Sequence, residues 1–422
     1  MKKQYVIFGL LLGCLQFAQA QFTLDGEFRP RTEYRNGFGS LIADNADAGF
    51  GISTRARLNA GYKTEAYKFY LSMQDVMVWG ENRQILPYDQ NNSFAIFQAW
   101  AEIDFGSGWS TKLGRQVLSY DDQRILGGLD WAQQGRNHDA ALIEYKKDKF
   151  ILDVALAFNQ DYSNPTGFVS AGTAYNTTGF FSYKTMQYAY LKQSWESFSG
   201  SLLLMNNGFQ EFDTNSDADG VSNLQTLGTH LNYKKGSFGA AFNGFIQTGK
   251  RQGEVDVKGA HLLGLDFTFK ASPKVSLGAG IEIISGNDGD AGETGAFFPL
   301  YGTNHKFNGF MDYFYVGNHA NSIGLVDIHV SANFKLSEAS SLMVKALNFS
   351  GEQDLPSGEN ALGTEIDIVF KRKFKGYALV AGYSQMFASD GMYELKGITE
   401  DAAASGQNWA WAMLVIKPKF IN

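Results

Sequence analysis

Cysteine is almost absent from this 422-residue chain, which contains only Cys14. A framework of several disulfide bonds is therefore excluded as the source of stability. Proline is also scarce, with 7 residues against 47 glycines, and no proline-rich or serine-rich linker divides the chain. We therefore predict one continuous domain over residues 21–422, although length alone would suggest two or three soluble domains.

The amino terminus has the three-part layout of a secretory signal peptide. Two lysines after Met1 precede an apolar run over residues 5–15, and an Ala-Gln-Ala tripeptide ends at Ala20. We predict a signal peptide over residues 1–20 with cleavage after Ala20. The alternative is a lipoprotein signal that ends at Cys14, but a strand pattern begins directly after the predicted cleavage site and leaves no tether.

Basic residues do not outnumber acidic ones, which argues against nucleic acid as a partner. Loss of Lys2 and Lys3 with the signal takes Lys+Arg from 36 to 34 against 43 acidic residues, a net charge of −9. After the signal, no run of about 18 apolar residues occurs, so no transmembrane helix is predicted. A membrane protein built from strands is still possible, because such strands are only half apolar.

Residues 22–35 form the clearest of many alternating segments. Every second residue is polar: Thr23, Asp25, Glu27, Arg29, Arg31, Glu33 and Arg35. The residues between them are mostly apolar or small: Phe22, Leu24, Gly26, Phe28, Pro30, Thr32 and Tyr34. Side chains alternate faces along a strand, so this segment has one polar and one apolar face. A soluble sandwich would bury the apolar face, whereas a membrane barrel would turn it toward lipid.

The connections between the alternating segments favour the barrel. We predict eighteen strands, near 22–35, 50–63, 66–79, 94–105, 109–118, 138–147, 149–158, 184–194, 196–206, 225–234, 236–248, 257–270, 274–286, 323–336, 338–350, 362–373, 375–387 and 408–417. Short turns alternate with long loops, the latter over 36–49, 80–93, 119–137, 159–183, 207–224, 249–256, 287–322, 351–361 and 388–407. The fold class is therefore all-β: a transmembrane antiparallel β-barrel in contact with outer-membrane lipid, with short periplasmic turns and long extracellular loops.

Several motifs have a family-like order and spacing. They are Lys112-Leu113-Gly114-Arg115-Gln116, Ser119-Tyr120-Asp121-Asp122-Gln123-Arg124, Gly128-Leu129-Asp130-Trp131, Gln134-Gly135-Arg136, Asp139-Ala140, and Leu300-Tyr301-Gly302-Thr303-Asn304-His305-Lys306-Phe307 with Gly309-Phe310-Met311-Asp312. Together with the opening strand, they resemble the bacterial alginate-export outer-membrane proteins. The resemblance implies a barrel in the outer membrane of a Gram-negative bacterium, a basic lumen that passes an anionic polysaccharide, and possible periplasmic export partners.

The same resemblance implies which residues line the solute path: Arg29, Arg31, Arg35, Arg55, Arg57, Arg115, Arg124, Arg136 and Lys306. Guanidinium groups bind carboxylates through two parallel hydrogen bonds and stay charged at any relevant pH. Acidic residues such as Asp25, Glu27 and Glu33 share the predicted face, which weakens the case for alginate itself. Shorter uronates, other acids or neutral sugars are alternatives, as is a purely structural ladder of arginine–carboxylate pairs. Both an exporter and a diffusion porin for uptake stay open.

Other kinds of site have little support in the sequence. The acidic loops with Asp213, Asn215 and Asp217, and with Asp288 and Asp290, are weak calcium candidates, because neither has the spacing of an EF-hand. No histidine has metal-ligand spacing, and no cofactor is predicted. His329 and Ser331 share a strand face but lack the third group that a catalytic triad needs, so no enzyme activity is expected. A plug-gated transporter is set aside, since no plug domain precedes the first strand.

Two finer expectations concern the tryptophans and the gate. Trp109 and Trp195 lie at predicted short turns, and Trp409 and Trp411 open the last strand, so all four are candidates for the aromatic girdles of a membrane barrel. The longest loop, 287–322, is our choice for the gate because it also carries the family-like motif over residues 300–312.

The barrel prediction has a direct biochemical check. A folded outer-membrane barrel resists unfolding in detergent until it is heated, so the unheated and boiled protein should migrate differently on a gel. A protein whose migration is unchanged by heating, and whose circular dichroism is that of a helical protein, would contradict the predicted architecture.

Overall fold

The fold is a closed barrel of eighteen antiparallel strands. A computed structural model describes residues 21–82, 84–85, 93–159, 183–215, 218–287, 292–315, 319 and 322–421. The strands are β1 Gln21–Asn36, β2 Gly49–Lys63, β3 Tyr67–Val78, β4 Ala95–Gly106, β5 Trp109–Gln116, β6 His138–Lys147, β7 Phe150–Phe158, β8 Thr185–Ser194, β9 Phe198–Phe212, β10 Ala218–Lys235, β11 Phe238–Lys250, β12 Asp256–Ser272, β13 Val275–Ile284, β14 Leu325–Lys335, β15 Ser340–Ser350, β16 Ala361–Lys373, β17 Tyr377–Ala388 and β18 Gln407–Ile416.

The first and last strands close the sheet. Each strand pairs antiparallel with the next one along the chain, and β1 pairs with β18 from Phe28 opposite Ile416 to Asn36 opposite Asn408. Closure leaves no sheet edge, so the backbone donors and acceptors of the strands are paired within the wall. A wall of this kind can stand in hydrocarbon, where unpaired peptide groups are very costly. The prediction of an eighteen-strand transmembrane barrel is confirmed.

The side chains of β1 show how the two faces differ. Phe28 and Tyr34 are exposed on the outer surface, whereas Glu27, Arg29 and Arg31 point inward and are buried. The same period of two continues around the barrel, so the apolar outer surface suits lipid and the charges face the lumen. A slip of one residue would turn the charged series into lipid, which fixes the register of this strand.

The turns and loops alternate as predicted. Residues 64–66 connect β2 to β3, and Ser107 and Gly108 connect β4 to β5, whereas residues 117–137 connect β5 to β6. Gly108 shows why the short turns are tight: it has φ of +87°, and a Cβ there would lie 2.2 Å from the carbonyl oxygen of Lys146. Only glycine meets both conditions.

The largest departures from the predicted strands are at β9 and β10. The predicted loop 207–224 is too long, because β9 continues to Phe212 and β10 begins at Ala218. On the outer surface of this extension, Asn206 donates hydrogen bonds to Gln187 and Asn223 and accepts one from Gln225. An amide cluster of this kind is unsuited to lipid, which indicates that the strands rise beyond the hydrocarbon layer.

Short elements complete the described chain. A helix, α1, spans Asp390–Lys396 and single 3-10 turns span Asn304–Lys306 and Glu400–Ala402. Two short strands, Glu293–Thr294 and Lys419–Ile421, pair with β12 and β1. Among the residues that the structure describes, no helix is long and apolar enough to cross a membrane.

The hydrophobic core lies inside the barrel. Loop A (residues 117–137) and the described residues of loop B (285–287, 292–315, 319 and 322–324) bend into the lumen and pack against its wall. Buried loop side chains such as Leu126, Phe298 and Met311 contact inward-facing strand residues such as Leu262 and Trp409. The lumen on the side of the long loops is therefore narrowed by packed side chains, and this narrowing positions the candidate site.

The lipid-facing surface generates a depth-dependent prediction. Leu202 on β9 lies on the outer face midway between Phe198 and Asn206, whereas Phe105 lies beside the β4–β5 turn. Leu202→Arg should lower the free energy of unfolding in lipid bilayers by about 2–4 kcal/mol, and Phe105→Arg by about 0–1 kcal/mol. Denaturant unfolding in vesicles measures both, and equal losses would contradict this placement of the membrane.

Candidate constriction site

Loop A is held against β1 and β2 by arginine side chains that donate to its carbonyl oxygens. Arg29 Nη1 lies 2.7 Å from the oxygen of Asp130, and its Nη2 lies 3.2 Å from that of Ala132. Arg31 Nη1 lies 2.9 Å from the carbonyl oxygen of Trp131. Irregular backbone needs partners when it is buried, and the arginines of the wall supply them.

Side-chain amides add to this anchor. Gln133 Oε1 accepts from Arg29 Nε at 3.0 Å, and Gln133 Nε2 donates to Ser53 Oγ at 3.0 Å. Arg55, directly opposite Arg29 on β2, donates from Nε to Glu27 Oε1 at 2.9 Å. These two arginines are therefore fully engaged within the wall and loop A, and their side chains are almost completely buried.

Trp131 occupies the centre of an aromatic cluster at the same level. Its ring stacks on His305 of loop B at 4.5 Å between centroids, and it meets Trp411 edge-on at 4.7 Å. The guanidinium of Arg31 lies 4.4 Å from the centroid of the Trp131 ring, and Trp409 is packed at 5.6 Å. The cluster joins loop A, loop B and both strands of the β1–β18 pair.

This cluster corrects the expectation for two tryptophans. Trp409 and Trp411 are buried inside the barrel and do not belong to an aromatic girdle. On β18 they alternate with outward residues and lie on the same inward face as Gln407 and Met413. The prediction did not take this alternation into account. Trp109 and Trp195 are exposed at short turns, as the girdle expectation requires.

Loops A and B also pair through their backbones. The N–H of Gly127 donates to the carbonyl oxygen of Tyr301 at 2.9 Å, and that of Thr303 donates to Gln123 at 2.9 Å. Arg136 Nη1 donates to the carbonyl oxygen of Gly302 at 2.8 Å. Burial lowers the pKa of Arg136 from its usual value. The family-like motifs on loop A and on loop B are thus in direct contact.

A buried ion pair links this loop pair to the far wall. Arg124 of loop A binds Glu282 of β13 through Nε–Oε2 at 2.9 Å and Nη2–Oε1 at 2.6 Å. Asn304 and Asn308 of loop B accept further hydrogen bonds from the same guanidinium at 2.9 and 3.0 Å. Loop A therefore crosses the lumen from β1 and β2 to β13, and its two ends are fixed by arginines.

Three predicted path residues keep exposed surface. Lys306 is exposed between the loops, where Nζ donates to the carbonyl oxygen of Asp122 at 2.8 Å. Arg35 is half-exposed and binds Glu33 at 3.0 Å. Arg57 is 11% exposed, donates to Gln74 at 2.7 Å and lies 3.7 Å from the centroid of Phe97.

Arg115 is a correction to the predicted lumen set. It shares the outward parity of Leu113 and Trp109 on β5, and it binds Asp139 on the outer side of β6 at 2.8 and 2.9 Å. Lys112 and Gln116 carry the inward parity of this strand. No bulge turns Arg115 inward, since β5 and β6 pair without a register shift, and β5 ends at Gln116, two residues earlier than predicted.

The extracellular end of the barrel supports loop B through α1. Lys396 at the end of this helix donates from Nζ to the carbonyl oxygen of Tyr313 at 2.6 Å. Burial lowers the pKa of Lys396 to about 8. The helix thus fixes the second half of the described part of loop B against the wall.

The weak metal candidates are only partly within the described chain. Asp213 accepts a hydrogen bond from the backbone of Asn215 at 2.9 Å, as in an ordinary polar turn. Asp217, Asp288 and Asp290 lie outside the described residues. Within the part of the chain that the structure describes, no three His, Cys, Asp or Glu side chains are arranged to hold a metal ion.

His329 is held in a way that does not suit a catalytic base. Its Nε2 lies 2.9 Å from Asp266 Oδ1 and its Nδ1 lies 3.2 Å from Asp327 Oδ1. Both ring nitrogens are therefore engaged with carboxylates, and neither is directed at Ser331. A general base needs a nitrogen within reach of the proton that it removes.

Several residues of the site were not predicted individually. They are Asp130, Trp131, Gln133, Glu282 and Trp409, of which only the first two lie within a family-like motif. Their signal in the sequence was weak, because contacts between distant segments leave no local pattern. The one usable signal was the alternation of side chains along β18, which places Trp409 on the same face as Gln407.

A closed barrel with an apolar outside, a charged inside and inward loops that narrow it defines an outer-membrane channel of a Gram-negative bacterium. The model of the alginate export family matches residues 20–394 of the chain. The chain belongs to the alginate export family. No curated protein matches it as a relative.

Solved structures agree on the fold. OccAB4 of Acinetobacter baumannii superposes with a TM-score of 0.66 at 14% identity, covering 95% of this chain and 98% of that one. The outer membrane protein opdK of Pseudomonas aeruginosa has a TM-score of 0.63 at 12% identity, with 95% and 99% covered. A further structure of OpdK contains vanillate and has a TM-score of 0.59 at 12% identity, with 94% and 99% covered.

The two bidentate arginine pairs give a matched stability prediction. Arg124→Leu should lower the free energy of unfolding by about 3–5 kcal/mol, because it leaves the buried Glu282 without its partner. Arg115→Leu removes an exposed pair and should cost at most about 1 kcal/mol. Denaturant unfolding in detergent measures both, and the double variant Arg124→Leu/Glu282→Leu should recover most of the loss. Equal effects of the two single variants would contradict the assigned burial.

Proposed function

We propose that this protein is a passive channel for anionic saccharides of the uronate class. The observation that carries the proposal is the concentration of cationic side chains at the constriction made by loops A and B. Of the nine predicted path residues, all but Arg115 lie on these loops or on the strands β1 and β2 that they contact: Arg29, Arg31, Arg35, Arg55, Arg57, Arg124, Arg136 and Lys306. Charged side chains at a constriction set which ions pass.

The cationic residues would act in two ways. Lys306 and Arg35 have the most accessible surface and would meet the solute directly, whereas Arg57 is only 11% exposed. The buried set of Arg29, Arg31, Arg55, Arg124 and Arg136 would act as positioning residues that fix the width of the opening. Both groups would raise the local concentration of anions, since a low-dielectric wall focuses their field.

An uptake porin for small carboxylates or sugars is the second candidate. The packed loop residues, such as Leu126, Phe298 and Met311, favour it because they leave less room for a polymer. One OpdK structure contains vanillate, a small carboxylate, which is in line with this reading. For the exporter, loop B or another loop would have to move, and periplasmic export components would be needed as partners. We propose loop B as the gate in that case.

Solute size separates the two candidates. In planar bilayers, the exporter should show conductance block by oligouronates of several residues added from the periplasmic side. The uptake porin should respond to glucuronate alone. Neither function involves catalysis, so the solute should be recovered unchanged after passage through proteoliposomes.

Lys306 provides the test of the anion path. Lys306→Glu should lower the anion-to-cation permeability ratio about two- to fivefold, since it reverses an exposed charge at the constriction. Reversal potentials in a salt gradient measure the ratio. Lys149→Glu makes the same change at the exposed β6–β7 turn and should leave it nearly unchanged. A wild-type pore that prefers cations, and that Lys306→Glu does not alter, would contradict the proposal.

A further inference from the structure

Asp130 is the point on which three guanidinium groups converge. Its Oδ1 lies 2.7 Å from Arg55 Nη2 and 4.0 Å from Arg57 Nη1, and its Oδ2 lies 3.6 Å from Arg29 Nη1. The sequence pattern gave this residue no role beyond a family-like motif. Its position at the tip of loop A makes it part of the constriction.

Exposure within this cluster is unequal. The Asp130 side chain is 70% exposed, whereas those of Arg29, Arg55 and Arg57 are 5%, 0% and 11% exposed. A solute that approaches the cluster therefore meets the Asp130 carboxylate before the guanidinium groups. Among the described residues, the carboxylates paired with these three arginines are Glu27 and Asp130, and Glu27 is itself buried.

The carboxylate of Asp130 is not what holds loop A in place. The loop is anchored through the backbone oxygens of Asp130, Trp131 and Ala132, and through both ends of the Gln133 amide. These contacts do not require a charge at Asp130. An amide at this position keeps the size of the side chain and the backbone contacts while removing the charge.

We propose that Asp130 is a specificity-determining residue that occupies, within the resting channel, the position of a solute carboxylate on the arginine cluster. The inference rests on the proposed anion path. Asp130 competes with the solute for Arg57, the most exposed guanidinium of the cluster, which weakens binding and speeds release. A site that bound anions without such a competitor would retain them, and conduction requires that a solute can leave.

The test is the anion permeability and glucuronate block of Asp130→Asn in planar bilayers. Neutralisation should raise the anion-to-cation permeability ratio about two- to fivefold, the range expected for a part-exposed ion pair, and lengthen glucuronate block events by a similar factor. Asp130→Glu restores the charge and should behave as wild type. Asp139→Asn makes the same change on the outer face, beside Arg115, and should have no effect.

The outcomes separate this inference from the proposed function. If Asp130→Asn leaves both the permeability ratio and the block duration at wild-type values, the competitor role is overturned, even when the wild-type pore prefers anions. If the wild-type pore prefers cations but Asp130→Asn shifts it toward anions, the proposed solute is wrong and the role of Asp130 stands. Heat-dependent gel migration verifies that each variant is folded, and Asp130→Ser serves as a second neutral variant if the asparagine variant fails to assemble.

Discussion

The structure depends on one constraint: peptide groups in hydrocarbon must find their partners within the protein. The closed ladder from β1 to β18 meets this constraint, and the other features follow from it. Apart from the Arg115–Asp139 pair on the outer side of β5 and β6, the strand charges described above point inward once the wall is closed and its outer face is apolar. They then lie close enough to pair, as Glu27 does with Arg55 and Glu282 with Arg124.

The same requirement explains how irregular loops can occupy the lumen. Loop A has little regular structure, so many of its carbonyl oxygens lack backbone partners. Wall arginines supply donors to those oxygens at residues 130 to 133, and the loop removes the arginines from water in return. Burying the loop carbonyl oxygens without the arginines, or the arginines without the loop, would be unfavourable, since buried polar groups cost free energy unless they are hydrogen-bonded. The basic lumen is therefore a structural feature as well as a candidate path for anions.

Much of the barrel could be predicted from the sequence, because strand parity and turn length are local properties. All eighteen strands were placed, and β6 was predicted with its observed bounds. The prediction for residues 207–224 was wrong because the contacts that extend these strands are made between segments distant in sequence: Asn206 bonds to amides on neighbouring strands, and Asn207 donates to the hydroxyl of Tyr301. Arg115 was assigned to the lumen from the family resemblance, although the alternation of side chains along β5 turns it outward. The contacts of Trp131 with His305, Trp409 and Trp411 join segments more than 100 residues apart, and no local pattern encodes them.

The aromatic cluster around Trp131 also constrains the order of assembly. Its members come from loop A, from loop B and from β1 and β18, the first and last strands of the wall. The packing surface for Trp131 is therefore incomplete until the two ends of the chain have met. The complete packing of loop A, and with it the narrow lumen, therefore requires the closed barrel.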